Sequence, residues 1–352
     1  MYRKDAIVVG EWIRNSNKAL LVTGARQTGK TWLIRDEIEK SGYTKFELNF
    51  IDQPDMVSYL NAEMSAEEFL IKLKMIMPED CKVHETVVFF DEIQKCPEIV
   101  TKIKFLVDEG SFKYVMSGSL LGVELKGIAS APVGYLTVLR MYPMDFEEFM
   151  VANNVSTTTL DMLEDKFKTV SPIEEFIHQK LLAMFFVYLI VGGMPDAVKT
   201  YIETKDIREV DRVQRDITTL YKEDFSQYEL EDRKLKLKSI YDIIPAELDK
   251  QNKKFVFTML NKELKFERYE NSFLWLKDAG VALPVYNVDA PVIPLLASKS
   301  SNVFRLFSSD IGLLTSAYPA ETKIELINKN GEVNNGAHFE NAVAQQLTAN
   351  GF

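Results

Sequence analysis

Apolar residues in the first half of the chain switch between two spacings. ALLVTG (19–24) is a short apolar run ending in glycine, and TKFELNFID (44–52) alternates apolar with polar positions; both read as strands. Between them, Trp32, Leu33, Ile34 and Ile38 recur along one side of a helix, and AEEFLIKLKMIM (66–77) returns to helical spacing. ETVVFFDE (85–92) is a continuous apolar run ending in two carboxylates, the pattern of a strand buried on both faces. A helix is expected to begin at Pro97, where proline suits the first turn. FKYVMSGS (112–119) and YLTVLRMY (135–142) complete five expected strands. This order predicts an α/β fold with a parallel sheet covered on both faces, and ligands at the carboxyl ends of its strands.

From about residue 153 the alternation stops and helical patterns dominate, after the polar stretch NNVSTTT (153–159). The longest apolar run, LLAMFFVYLIV (181–191), is shorter than the roughly 20 residues that span a bilayer, so a core helix is expected and no membrane contact. FLWLKDAGVALPVYNV (273–288) reads as a helix stopped by Gly280 and followed by a strand, with Leu274, Trp275 and Leu276 in the core.

At 352 residues the chain is too long for one core and predicts two or three domains. A formal net charge of -10 argues against a surface that binds nucleic acid as a whole, while leaving room for a local basic patch. Two cysteines, Cys81 and Cys96, without a secretory signal fit a reducing cytoplasm, and three histidines away from any cysteine pair give no zinc pattern. Oligomeric state is not written in the residues.

The candidate chemistry starts at GARQTGKT (24–31), which matches G-x-x-x-x-G-K-[ST], the Walker A phosphate loop. Gly24, Ala25, Arg26, Gln27, Thr28, Gly29, Lys30 and Thr31 are its residues. Glycine frees backbone N–H groups to point at phosphates, and the following helix adds its dipole. Lys30 is expected to reach the β- and γ-phosphates as a catalytic cation, and the Thr31 hydroxyl to ligate Mg2+. Asp91, after four buried apolar residues, is the expected second magnesium-organising carboxylate in the Walker B position. Glu92 is the expected general base toward the attacking water. MSGS (116–119) ends the next strand, so Ser117 or Ser119 is expected near the γ-phosphate or the water; a plain strand-to-loop turn fits the same residues. Arg140 and Arg26 lie near the site, and nothing assigns either as an arginine finger. In VGGMPDAV (191–198) the glycines read first as close packing or a sharp turn, with a surface facing the nucleotide as the other reading.

These residues resemble the large prokaryotic family of predicted AAA+-type P-loop ATPases. The resemblance runs through GARQTGKT, VVFFDEIQKCPEI, VMSGSLLGV, YPMDFEEFM, VGGMPDAV, YDIIPAELDKQNKKF, YENSFLWLKDAGVALPVYNV and DIGLL, in the family's order over nearly the whole chain. It implies an AAA-like ATPase domain over 1–152, a helical region over 153–230 and a winged-helix-like module over 231–320. It further implies the opening of a restriction-endonuclease-like domain over 321–352, beginning at a glutamate such as Glu340, with the rest of that domain expected to be missing. One departure is Tyr135 after Gly134, where many members carry arginine. The implied ligands are ATP, preferred to GTP, and Mg2+; the guanine-reading N-K-x-D motif is absent from the sequence.

Two functions follow. One is an Mg-dependent ATPase whose hydrolysis drives conformational change between the P-loop domain and the winged-helix and C-terminal modules. The other is an ATP-switched DNA-binding or adaptor protein with little turnover. The second draws on the basic stretch RKLKLKSIYDIIPAELDKQNKKF (233–255), with Lys234, Lys236, Lys238, Lys253 and Lys254 as phosphate contacts; a solvated helix face on a protein-contact domain is the competing reading.

Overall fold

A computed structural model describes residues 1–60, 64–119, 134–227, 231–250, 255, 270–328 and 335–352. The backbone divides into two units, Arg3–Met141 and Tyr142–Phe352, the latter joined by Met1–Tyr2.

The first unit is built on five parallel strands, β1 (Ala19–Thr23), β2 (Thr44–Asn49), β3 (Thr86–Asp91), β4 (Lys113–Gly118) and β5 (Leu136–Arg140). Their order across the sheet is β2-β3-β4-β1-β5. Helices α1 (Asp5–Asn15), α2 (Lys30–Ser41), α3 (Pro54–Leu60), α4 (Ala66–Ile76) and α5 (Glu98–Glu109) complete the unit. All five strands fall where the apolar spacing predicts them, and the order is that of a P-loop NTPase fold.

Two-residue periodicity explains why the sheet is covered twice. In β3 all six residues are buried. Val88 and Phe90 join one core with Phe69, Leu73 and Ile103, from α4 and α5. Val87 and Phe89 join the other, with Trp12, Leu33 and Ile34 from α1 and α2. The same split sends Leu21 and Met116 to the first core and Leu20, Val22 and Val115 to the second. Each buried Val, Leu or Phe contributes about 1.5–3 kcal/mol, so a charge introduced along β3 has no tolerable face. One expectation is corrected here: Leu33, Ile34 and Ile38 are buried, but Trp32 is 46% exposed. At about 100° per residue, position 32 turns off the face shared by 34 and 38.

The second unit is mainly helical, with one antiparallel strand pair, β6 (Ala282–Val288) and β7 (Lys299–Ser308). Its longest apolar run lies in the helix Glu175–Val191, where Tyr188–Val191 are buried. Among the described residues no helix is long and apolar enough to cross a membrane. The turn that follows packs tightly. A Cβ on Gly193 would stand 1.9 Å from the Met144 carbonyl oxygen, and one on Gly192 (φ +71) 2.3 Å from Asp310 Oδ1. The Gly193 N–H donates to Asp310 Oδ2 at 2.6 Å, so close approach of backbone is what these glycines provide. Burial pushes Asp310 up to about 6, against the pull of hydrogen bonds from Gly193, Leu313 and Gln345. The helix Gly336–Ala349 belongs to this unit, with Asn341 Oδ1 accepting from Ser308 N at 2.8 Å and Gln345 Oε1 from Ile311 N at 2.8 Å.

Lys234, Lys236 and Lys238 lie on the helix Glu231–Asp249. A step of two residues turns a helix by about 200°, which puts Lys236 on the side away from Lys234 and Lys238. Lys253 and Lys254 lie outside the described residues.

Candidate functional site

Parallel pairing brings the carboxyl ends of β1, β2, β3 and β4 to one edge, and register does the rest. Asn49 lies opposite Asp91, Phe90 opposite Met116, and Val22 opposite Ser117. Because β4 separates β1 from β3, Ser117 stands between the phosphate loop and Asp91.

The loop leaves β1 at Gly24, where φ is +137 and an added Cβ would stand 2.1 Å from the Met141 carbonyl oxygen. It closes on Gly29 in the left-handed region (φ 90), the residue that caps α2. Inside it the buried Thr28 hydroxyl donates to the Ala25 carbonyl at 2.9 Å, and Arg3 Nη1 donates to the Thr28 carbonyl at 3.1 Å. Lys30 Nζ donates to the carbonyls of Gly24 at 3.0 Å and Ala25 at 2.7 Å. Burial lowers the Lys30 ammonium to about 8, opposed by the charges of Glu92 and Asp91 and assisted by Arg26.

Asp91, 2% exposed, is the hub of the site. The Thr31 hydroxyl lies 3.2 Å from Oδ1 and 3.0 Å from Oδ2. Asn49 Nδ2 donates to Oδ2 at 3.1 Å and the Glu92 N–H to Oδ1 at 3.1 Å. The Ser117 hydroxyl donates to Oδ1 as well. A buried carboxylate is expensive without partners, and here four donors surround it.

Glu92 holds a left-handed backbone (φ 55, ψ 46) and accepts a hydrogen bond from Gln94 Nε2 on Oε2. Gln27 is left-handed too, at φ 62. Such conformations in non-glycine residues cost of order 1–3 kcal/mol and gather at functional sites. Both line a cleft of about 300 Å³ with Arg26, Lys30, Thr31 and Trp32. Arg35 lines it as well, and its Nε donates to both carboxylate oxygens of Glu47 at 3.0 Å.

The structure thus assembles Gly24–Thr31, Asp91, Glu92 and Ser117, and it separates the two serines. The Ser117 hydroxyl is committed to Asp91. Ser119 is buried with its hydroxyl unpartnered, which leaves it the hydroxyl with capacity for a further acceptor. Arg26 lines the cleft and Arg140 ends β5 opposite Thr23; neither is placed as a finger. Among the described residues no cluster of three or more His, Cys, Asp or Glu is arranged around a metal. Asn49 escapes sequence reading, since a polar residue at a strand end carries no signal of its partner across the sheet; Gln94, in the short turn after β3, escapes it because nothing in the sequence directs its amide to Glu92.

A family model described as an AAA domain matches residues 16–150, and one described as a domain of unknown function matches residues 183–324. No curated protein matches the sequence. Solved structures that resemble the chain include the Walker-type ATPase of Pyrococcus abyssi, 14% identical, covering 90% of this chain and 95% of that one with a TM-score of 0.49. AMPPCP-bound DnaA from Aquifex aeolicus is 12% identical, covering 79% and 89% with a TM-score of 0.38. Drosophila ORC bound to DNA is 13% identical, covering 93% and 95% with a TM-score of 0.35. Sheet order, phosphate loop and AAA-domain match together identify the first unit as a nucleotide-binding domain of the P-loop NTPase fold.

Proposed function

We propose that the first unit binds ATP with Mg2+ and hydrolyses it. The observation that carries this reading is the Asp91 network, in which a phosphate-loop hydroxyl, a β2 amide and a β4 hydroxyl all converge on one buried carboxylate. The residues fit both groups. Thr31 and Asp91 bring two hard oxygen donors within 3.0 Å of each other, the ligand type Mg2+ takes. Lys30 Nζ donates to the Gly24 and Ala25 carbonyls and brings a buried positive charge to the loop. Bound Mg2+ supplies charge neutralisation for the phosphates.

In this reading the Gly24–Thr31 backbone holds the phosphates and Lys30 balances their charge. Asn49 and Ser117 keep Asp91 oriented, and Ser119 offers its hydroxyl to a phosphate oxygen or the water. Glu92 takes the proton from the attacking water. Hydrolysis would then drive conformational change in the winged-helix-like and C-terminal region, an output suggested by the family resemblance. The alternative, a DNA-binding switch, asks for a continuous basic face, which the spacing of Lys234, Lys236 and Lys238 does not favour.

The test is phosphate release by the full chain with Mg2+ and ATP, beside a Glu92→Gln variant. Loss of a general base predicts a fall of about 10²–10⁴-fold with nucleotide binding kept. Equal phosphate release by parent and variant would remove Glu92 from the chemistry, and release by the parent no greater than that of a protein-free blank would remove hydrolysis from the function.

A further inference from the structure

The parallel sheet has a second edge, and it carries a cleft unrelated to the phosphate loop. Lys18 lies just before β1, Tyr43 before β2, His84 before β3, and Lys113 opens β4. These residues therefore meet at the amino ends of the strands, the edge opposite Gly24 and Asp91. With Tyr114 and the turn after α5 they line a cleft of about 370 Å³, all within the first unit.

We propose that this cleft binds a small anion, a phosphate- or carboxylate-bearing metabolite. Its lining holds two lysines and a histidine and no carboxylate, in a chain whose formal net charge is -10. Glu109, at the end of α5 beside the lining turn, is already engaged. It accepts from Lys74 Nζ at 3.2 Å, from Ser111 N at 2.9 Å and from the Ser111 hydroxyl at 2.5 Å. Lys113 Nζ donates to the Ser16 carbonyl at 2.7 Å, which uses one of its three donors. Burial of this ammonium pulls its pKa down, a desolvation penalty that an anion beside it would offset. The side chains of Lys18 and His84 are exposed on the rim and make no hydrogen bond among the described residues.

The second, independent observation is Tyr114. It is 1% exposed, and its hydroxyl is sealed from solvent without a hydrogen-bond partner. Leaving such a group unmet is destabilising, which is unusual for a residue whose ring already packs against Phe90 and Phe112. Phenylalanine would fill the same space without that cost. Tyr114 lines the cleft, where a ligand's acceptor oxygen would give the hydroxyl a partner and its negative charge would answer the two lysines. The volume suits one small molecule and is too small for a docked protein segment.

The experiment uses the full chain carrying Lys30→Ala, which disables the phosphate loop, with pyrophosphate and citrate as probes in calorimetric titrations. At least one probe is expected to bind, and adding Lys18→Ala with His84→Ala is expected to weaken it about tenfold or more. Both side chains are exposed, so these changes spare the fold. Tyr114→Phe gives the sharper signature: weaker probe binding by about three- to tenfold, with the melting temperature of the ligand-free protein unchanged or raised. Pyrophosphate without citrate identifies a phosphate ligand, and the reverse a carboxylate. The proposal is overturned if neither probe binds at about 10 mM, if the rim variants bind as the parent does, or if Tyr114→Phe lowers the ligand-free melting temperature.

Discussion

Raising the pH tests the Lys30 site directly. Burial brings this lysine from 10.5 to about 8 in the ligand-free protein. A displacement of that size corresponds to roughly 3 kcal/mol by which the folded state disfavours the ammonium. Below pH 8 the group is charged in both folded and unfolded chains, and the folded state carries the whole penalty. Between 8 and 10.5 the folded chain has released the proton while the unfolded chain keeps it, so stability rises by about 1.4 kcal/mol per pH unit. Above 10.5 the penalty is gone. Lys30→Met should therefore be more stable than the parent at pH 7, and that advantage should vanish as the pH reaches 10.5.

Nucleotide binding has the opposite dependence. Phosphates favour the charged lysine, so above pH 8 binding must take up a proton and affinity should fall about tenfold per pH unit. Calorimetry with a non-hydrolysable ATP analogue and Mg2+, in two buffers of different ionisation heat, counts the proton. At pH 9 the expected uptake is about 0.9 proton, near pH 7 about 0.1, and in Lys30→Met none at either. An affinity that holds constant from pH 7 to 9, with no uptake, refutes the argument. It would mean that the Gly24 and Ala25 carbonyls keep the ammonium charged despite its burial.

Three further outcomes follow from named contacts. Asn49→Ala removes a charge-assisted hydrogen bond to Asp91 and the acceptor of the Ile51 and Asp52 N–H groups; urea unfolding should show a loss of about 2–3 kcal/mol, and Asn49→Asp, which adds a like charge, a larger one. An unchanged midpoint for both would show that Asn49 does not hold the carboxylate. Gly24→Ala forces a Cβ to 2.1 Å from a carbonyl oxygen at positive φ, and should cost about 3–5 kcal/mol or abolish soluble expression. Gly193→Ala meets the Met144 carbonyl oxygen at 1.9 Å and should destabilise the second unit, read as faster proteolysis within 142–352, while nucleotide binding by the first unit survives.

Much of the first unit was legible because its cues are local. A buried two-sided strand needs an unbroken apolar run, so VVFF announced β3 and the carboxylates at its end. The phosphate loop was legible because its glycines answer a backbone need that few other residues meet. What escaped depends on register. Nothing near Asn49 says that it will face Asp91, and nothing in MSGS says that Ser117 will be spent on Asp91 while Ser119 stays open. Trp32 misled because a run of three apolar residues cannot all share one helix face.

The same reasoning explains why the site sits where its folding cost is lowest. The buried runs of β3 and β4 anchor both sides of the sheet, so Asp91 and Ser117 are fixed by cores that exist for packing. The strand ends at this site carry strain and buried charge: Glu92 and Gln27 in left-handed backbone, Lys30 desolvated, Asp91 sealed. Each of these is destabilising alone, and each is the group that the proposed ligand would relieve. A nucleotide that neutralises Lys30 and the loop N–H groups should therefore stabilise the first unit more than its contacts with neutral surface account for. Comparing the thermal shift from ATP with Mg2+ in the parent and in Lys30→Met isolates that excess, and equal shifts in the two proteins would show that the strained edge is not built around a ligand.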